Sequence, residues 1–396
     1  MVNPYLCYAA GFSFALAMYL LRWSDLYPSL SVTVSLFLFL TIIVHVYAGI
    51  RPAWQKINIF RKLETQSDLA PVALTILLYA LWCTEFLYAR GVPFISILLG
   101  KSYDYKLFGI PTLHVFIVTF SSFYTVYLFH LYLSKRSFRI LFLYVINLLS
   151  AILIYNRGMF LFNLSASAFL FLIYTQNISV KQVALGISGI VIFLFLFGVL
   201  GTLRVSNESR KPYSNELFLR TGHASQSFRD SPLPSEFFWS YVYMTSPLAN
   251  LERNISVSEP PPLTGSTFLK WMNNELLFDF ISKRINRLAS AARVKENNIP
   301  GPFNATTVYS GSFSHLGWWG MFLMAGIILL IPQIYMKMIP PASPFFLSGL
   351  VIVNTVFLFM VFDNTVRFTG LSFQIVYPVL LNQACQRFEW LKKIFL

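Results

Sequence analysis

Three side chains of this sequence combine a chemically useful group with a position at the end of an apolar segment. Arg157 lies in IYNRGMF, Arg204 directly follows GVLGTL, and His315 lies among the glycines of YSGSFSHLGWWG. Arginine binds phosphate through two parallel N–H groups and stabilises negative charge that develops in a transition state. Histidine exchanges protons near neutral pH. We therefore predict that Arg157, Arg204 and His315 are catalytic, with the arginines holding an anionic leaving group and the histidine acting as base or acid.

Each of these predictions competes with a structural explanation. Arg157 at a short hairpin tip could extend its head group to the membrane interface, and Arg204 could anchor the end of its apolar segment there. The two tryptophans that follow His315 are typical of an interfacial aromatic belt. The residue types alone do not separate the two explanations.

Substrate-binding candidates form a second and larger group. Four arginines lie downstream of Arg204 in a long polar segment: Arg210, Arg220, Arg229 and Arg287. The stretch YVYMTSPLANLER contributes Tyr243, Asn250, Glu252 and Arg253, of which Glu252 and Tyr243 are weaker alternatives to His315 as a base. His114 follows Gly-Ile-Pro in FGIPTLHV, where a buried, hydrogen-bonded histidine is the competing interpretation.

Local sequence signals predict the elements that must position these residues. Ser246 is a good N-cap and Pro247 suits a first helical turn, so we predict that one helix ends there and a short one begins, aiming Asn250, Glu252 and Arg253 into a cavity. A simple kink is the alternative. Apolar residues recur at helical spacing over 269–292 and predict an amphipathic helix on the membrane surface or on a transmembrane bundle. A helix that begins near Gly317 would favour an anion beside His315.

The composition is that of a polytopic membrane protein. Of 396 residues, 56% are hydrophobic and 12% are charged, whereas soluble domains carry about 25% charged residues. Apolar stretches predict an all-α fold with about ten transmembrane helices. They lie at 4–21, 30–50, 69–89, 110–133, 140–155, 159–176, 183–203, 317–337, 345–362 and 370–386. The stretch 140–175 is too long for one span, so we predict two short spans that turn at residues 155–158. The predicted domains are a bundle over 1–203, a large loop over 204–316 and a second bundle over 317–396.

Charge distribution predicts the orientation. The predicted cytoplasmic segments carry about twice as many basic residues as the short outer loops if both termini are cytoplasmic. The large loop then faces outward, where nucleotide sugars and ATP are absent, so any substrate must arrive already activated. In a membrane protein the formal charge of +14 is consistent with this rule and with anionic lipids, and we predict no nucleic-acid partner. The sequence offers no obvious metal site and no cofactor motif.

The layout and several short motifs resemble the Wzy-type O-antigen (oligosaccharide repeat unit) polymerases of Gram-negative inner membranes. The motifs are FGIPTLHV, the mid-membrane NRG, GTLR, YVYMTSPLANL and HLGWWG. The resemblance implies a GT-C-like, metal-independent glycosyltransferase of the inner membrane with its large loop in the periplasm. It also implies an undecaprenyl-diphosphate-linked oligosaccharide as substrate, and a chain-length-determining co-polymerase as a possible partner besides membrane lipid. The growing glycan would be moved from its lipid diphosphate to a new lipid-linked repeat unit.

Two other functions remain open at this point. A lipid A–core:O-antigen ligase would share the donor and the arginine and histidine chemistry but use another acceptor. A polysaccharide flippase or other transporter would need no catalysis, although such proteins commonly contain repeated groups of spans, which this sequence lacks.

Overall fold

The computed structural model describes most of the chain. The described residues are 2–51, 54, 62–63, 69–99, 108–175, 179–208, 212, 214–289 and 294–395, with only the backbone described at 204, 205, 207, 208 and 393. These residues form an all-helical protein without a β-strand; one isolated bridge pairs Ser24 with Ala224. Arg210 lies outside the described residues, and so does the side chain of Arg204.

The described helices follow one another along the whole chain. They are α1 (Pro4–Tyr19), α2 (Val32–Gly49), α3 (Ala70–Tyr88), α4 (Pro93–Leu98), α5 (Leu113–Lys135), α6 (Phe138–Leu153), α7 (Arg157–Tyr174), α8 (Val180–Glu208), α9 (Asn215–Thr221), α10 (Gln226–Arg229), α11 (Phe237–Val257), α12 (Gly265–Trp271), a π-helical turn (Met272–Leu276), α13 (Asp279–Leu288), α14 (Ser310–Met338), α15 (Phe346–Phe359), α16 (Thr369–Ser372), a 3₁₀ turn (Phe373–Ile375), α17 (Val376–Arg387) and α18 (Glu389–Phe395).

Among the described residues, six helices are long and apolar enough to cross a membrane: α2, α3, α5, α7, α8 and α14. The helices α6 and α15 are apolar but shorter. The predicted division of 140–175 into two helices is confirmed, because α6 ends at Leu153 and α7 begins at Arg157. Asn156 caps α7 by accepting a hydrogen bond from the N–H of Met159 at 2.9 Å. The full number of ten spans stays a prediction.

The core of the bundle surrounds α15, which packs against α1, α5 and α7. Almost every side chain of α15 is buried, including Asn354 and Thr355. By contrast, only 6% of the apolar window of α8 is buried. Its last turns contact the rest of the protein, where Gly198 approaches the carbonyl of Glu236 and Gly201 approaches the ring of Trp239.

The described residues of the segment 209–309 lie at one end of this bundle, which we call the loop end. The longest of their helices, α11, lies across the loop end. Trp239 near its start donates to Thr202 on α8 at 3.2 Å, Glu252 accepts from the N–H of Ser31 before α2 at 2.9 Å, and Asn254 donates to Ser314 on α14 at 2.8 Å. These contacts fix α11 to three helices of the bundle.

The predicted break at Ser246-Pro247 is wrong, because α11 runs through it without interruption. Pro247 removes one helical hydrogen bond, which weakens a helix interior. Its neighbours from Thr245 to Leu251 are all buried, so packing on both sides holds the helix together. Tertiary contacts outweigh the local signal here.

One further boundary differs from the prediction, and one agrees with it. The amphipathic helix over 269–292 is instead divided into α12, a π-helical turn and α13, with non-helical backbone at Leu277 and Phe278 between them. Within α14, Gly317 adopts the non-helical angles φ 60 and ψ −145 and separates a short helical segment from the long helix that follows it, so a helix begins near Gly317 as predicted. His315 lies in the short segment, directly before that long helix.

Candidate functional site

A histidine and a glutamate form a hydrogen-bonded pair at the loop end. The Nδ1 of His114, in the first turn of α5, lies 2.8 Å from Oε2 of Glu85 near the end of α3. The backbone N–H of Ile110 donates to the other carboxylate oxygen at 3.2 Å. Because a carboxylate accepts hydrogen bonds, Nδ1 carries the proton and Nε2 is the basic nitrogen. Among the described residues, Nε2 has no hydrogen-bond partner.

The two members of the pair differ in their access to solvent. The side chain of Glu85 is completely buried, whereas that of His114 is 27% exposed. The rings of Trp82 and Phe108 contact the imidazole from the sides. A buried carboxylate that orients an accessible imidazole is the arrangement of a general base. The interpretation of His114 as a buried, hydrogen-bonded histidine is confirmed for the hydrogen bond, whereas the side chain is only partly buried.

The turn before His114 has an unusual backbone. Gly109 has φ 93, and a Cβ there would lie 2.5 Å from the ring of His114, so glycine alone fits. Thr112 has φ 75, a left-handed conformation that costs free energy in a β-branched residue. A guanidinium nitrogen of Arg284 on α13 hydrogen-bonds the hydroxyl of Thr112. The large loop and the bundle thus meet two residues from His114.

Cationic side chains lie around the pair of His114 and Glu85. Lys283, Arg284 and Arg287 are exposed on α13. The turn that holds Arg157 lies on the other side, because Ile154 and Met159 share a hydrophobic cluster with Trp82 and Phe108. Arg157 itself is exposed, with its guanidinium 5.5 Å from the ring centre of Tyr155. The helix that carries Arg287 and the turn that carries Arg157 therefore both lie near the turn before His114, although no described contact joins either arginine to the histidine.

A second group of polar residues is buried beside this region and is called here the Glu275 cluster. Glu275, in the π-helical turn, lies 3.8 Å from Nε2 of His315 and 3.9 Å from Nε of Arg367, while Asn364 donates to its carboxylate at 2.9 Å. The side chains of Glu275 and His315 are 1% and 4% exposed. Gly311 permits this approach, because a Cβ there would lie 2.5 Å from both carboxylate oxygens.

Arg367 is the cation of the Glu275 cluster. Burial alone would lower its pKa, but the carboxylates of Glu275, Asp363 and Asp279 outweigh that effect and raise the pKa above its usual value. Arg367 therefore remains charged, and each carboxylate lies within 4 Å of it. His315 occupies the interior of this ionic group. Its role as a base stays a prediction. The side chain of His315 is buried, whereas that of His114 is partly exposed to solvent.

Two predicted arginines lie at a different place on the surface. Arg220 and Arg229 both donate to Glu216, each at 3.0 Å, on the short helices α9 and α10. Hydrogen bonds from Arg229 and then Arg220 lower the pKa of Glu216. Tyr243 on α11 packs edge-on against Phe197 of α8. These residues are not brought to His114, and their predicted contacts with substrate stay predictions.

The polar residues of PLANLER serve the packing of α11. Asn250 is completely buried, donates to the carbonyls of Phe303 and Ala305, and accepts from the N–H of Ile299. Glu252 is buried against Ser31, as described above. Arg253 is exposed. The contacts of Asn250 and Glu252 lie within the protein, so neither side chain points into an open cavity.

Sequence reasoning missed three residues of these two groups: Glu85, Glu275 and Arg367. One signal was present in the sequence. Glu85 is a lone glutamate in the apolar stretch 69–89, and burying an ionisable residue at membrane depth costs free energy, so such a residue usually marks a functional site. Glu275 and Arg367 gave no such signal, since both lie in polar segments. Their pairing spans 92 positions of the chain, and no local pattern indicates it.

Comparison with known proteins adds no relative: no family model, no curated protein and no solved structure matches this chain. Within the described ranges, no group of three or more histidine, cysteine, aspartate or glutamate side chains could hold a metal ion. The chemistry of the site is therefore inferred from the geometry of its own side chains.

Proposed function

We propose that the protein is a membrane glycosyltransferase that polymerises oligosaccharide repeat units carried on undecaprenyl diphosphate. One observation carries the proposal: a solvent-accessible histidine, oriented by a buried glutamate, lies beside a cationic helix at the loop end of an all-helical bundle. A base and a set of cations are what transfer from a diphosphate to a hydroxyl requires. The family resemblance of the motifs supports the choice of substrate.

In the proposed reaction, a hydroxyl oxygen of the acceptor sugar attacks the anomeric carbon of the donor glycan. The Nε2 of His114 takes the hydroxyl proton, and Glu85 stabilises the imidazolium that forms. The bond between the anomeric carbon and the diphosphate oxygen breaks, and undecaprenyl diphosphate leaves with the electron pair. Its negative charge is stabilised by Arg157 and by Lys283, Arg284 and Arg287.

Arg204, predicted to hold the anionic leaving group, and Arg210, predicted to bind substrate, keep those roles as proposals. A chain-length-determining co-polymerase would act on the same loop. The proposed location is the bacterial inner membrane with the loop in the periplasm, where the donor needs no nucleotide.

The experiment is a gel of lipopolysaccharide from a strain that lacks this gene. It is compared with the same strain carrying the wild type, His114→Ala or the control His223→Ala. A core band with a single repeat unit in the deletion and His114→Ala lanes, with a ladder in the other two, supports the polymerase. A bare core in the deletion lane would favour the ligase or the flippase. A normal ladder in that lane would refute all three.

A further inference from the structure

We propose that Glu275 and Arg367 form a latch that positions α13 over the pair of His114 and Glu85. The inference deepens the proposed function and rests on it, because it assigns two positioning residues to the same site. Neither residue touches the space beside His114. They would act through α13, whose first turn and middle contact different parts of the bundle.

The first step is the burial of Glu275. Its carboxylate is inserted between α14 and the connection from α15 to α16, where Gly311 leaves room and Asn364 donates both to the carboxylate at 2.9 Å and to the backbone carbonyl of Glu275 at 3.0 Å. A buried carboxylate is costly unless it is paired and hydrogen-bonded. The turn that precedes α13 is therefore fixed in one position only while these partners are present.

Arg367 then holds the start of α13 in three ways. Its backbone carbonyl accepts from the N–H of Asp279 at 2.9 Å, and its guanidinium lies 3.4 Å from the Asp279 carboxylate. The guanidinium also approaches Glu275. Two residues along, Thr369 accepts from the N–H of Phe280 at 3.3 Å. One arginine thus joins the latch to the first turn of α13.

The middle of α13 meets the turn before His114, where Arg284 bonds the hydroxyl of Thr112. In the first turn of α13, the ring of Phe280 contacts that of Phe116 in the first turn of α5. Asp279 and Arg284 are five positions apart, about 7.5 Å along a helix axis at 1.5 Å per residue. Because a helix this short moves as a rigid body, releasing its start displaces its cations from His114.

The test measures the position of α13 directly in the full chain. Cys7, Cys83 and Cys385 are replaced by alanine, and spin labels are placed at Leu87→Cys on α3 and Leu288→Cys on α13, both highly exposed. The distance between the two labels is measured in lipid nanodiscs for three proteins. They are the labelled protein with Glu275 and Arg367 intact, its Glu275→Gln variant and its Arg367→Lys variant. The control is Glu216→Gln, which removes a carboxylate paired with two arginines elsewhere.

The latch predicts that Glu275→Gln adds a longer distance population and that the control does not. Arg367→Lys keeps the charge but loses the forked contacts, so it should give an intermediate result. The same distances in all four proteins would overturn the latch, whatever the gel shows. A shifted distance in Glu275→Gln together with a normal lipopolysaccharide ladder would support the latch. It would refute the catalytic role of α13 and the pair of His114 and Glu85.

Discussion

At the scale of single residues, the geometry distinguishes two histidines for which the sequence predicts different roles, His315 as the base and His114 as a substrate-binding residue. His114 and His315 both stand at the loop end and both lie near a glutamate. The hydrogen bond of His114 is 2.8 Å long and its ring is partly open, whereas His315 and its partner are enclosed and 3.8 Å apart. Proton transfer needs contact with substrate, so His114 is the stronger candidate for the base.

We expect Glu85→Gln to lower the rate of polymer formation by about 10²-fold while the protein still inserts into the membrane. The amide cannot stabilise an imidazolium as a carboxylate does, although it can still hold the ring. His114→Ala should cost at least as much. The measurement is ladder formation against time at equal protein levels. Full activity of both variants would remove the pair from the mechanism.

We expect Asn250→Ala to act on stability. It leaves three buried backbone groups without their hydrogen bonds, and at about 1 kcal/mol for each bond the free energy of unfolding should fall by roughly 3 kcal/mol. Ser256→Ala, an exposed serine on the same helix, should change it by less than about 0.5 kcal/mol. Thermal unfolding in detergent compares the two. Equal melting temperatures would return Asn250 to the list of substrate-binding candidates.

At the scale of elements, close helix contacts depend on single glycines. Because Gly311 on α14 has no side chain, the carboxylate of Glu275 can pack directly against it. The π-helical turn places that carboxylate there. A π-helical turn inside a helical segment is rare and often marks a functional site. Helix α14 also contains Gly326, where a Cβ added to the glycine would have no neighbouring atom within 4 Å.

These two glycines give a matched pair for a test of the contact. Alanine raises intrinsic helix stability at either position, by up to about 1 kcal/mol. We expect Gly326→Ala to keep or raise the melting temperature. Gly311→Ala should lower it, because the new methyl group would lie 2.5 Å from the Glu275 carboxylate oxygens and expel them. If both variants melt alike, the close contact of Glu275 with α14 is not present in solution.

At the scale of the whole molecule, the described residues of the segment 209–309 lie at one end of the bundle. They contact α2, α8 and α14 through α11, and α5 and α16 through α13. All polar groups proposed to act in the reaction lie at this end. Function therefore depends on which side of the membrane the loop end faces.

We expect the loop end to face outward. In a protein without its three native cysteines, Leu233→Cys should react in intact cells with a thiol reagent that cannot cross the inner membrane. Lys337→Cys, exposed at the end of α14 far from the loop end, should react only after the membrane is permeabilised. The basic residues of the predicted cytoplasmic segments are the physical reason. The reverse pattern of labelling would place the candidate site in the cytoplasm and contradict the proposed function.

The sequence by itself determined the class of the protein and much of its helical order. Long apolar stretches must satisfy their backbone hydrogen bonds internally, which makes them helices, and the polar turn around Asn156 divides one stretch into α6 and α7. It also supplied His114 and Arg157 as candidates. Only the tertiary structure decided that α11 continues through Pro247, because burial on both sides outweighs a local break signal. It alone paired His114 with Glu85 and enclosed His315 with Glu275 and Arg367. Periodicity and capping act over a few residues, whereas those pairings join positions from distant parts of the chain, and only the packing of helices brings them together.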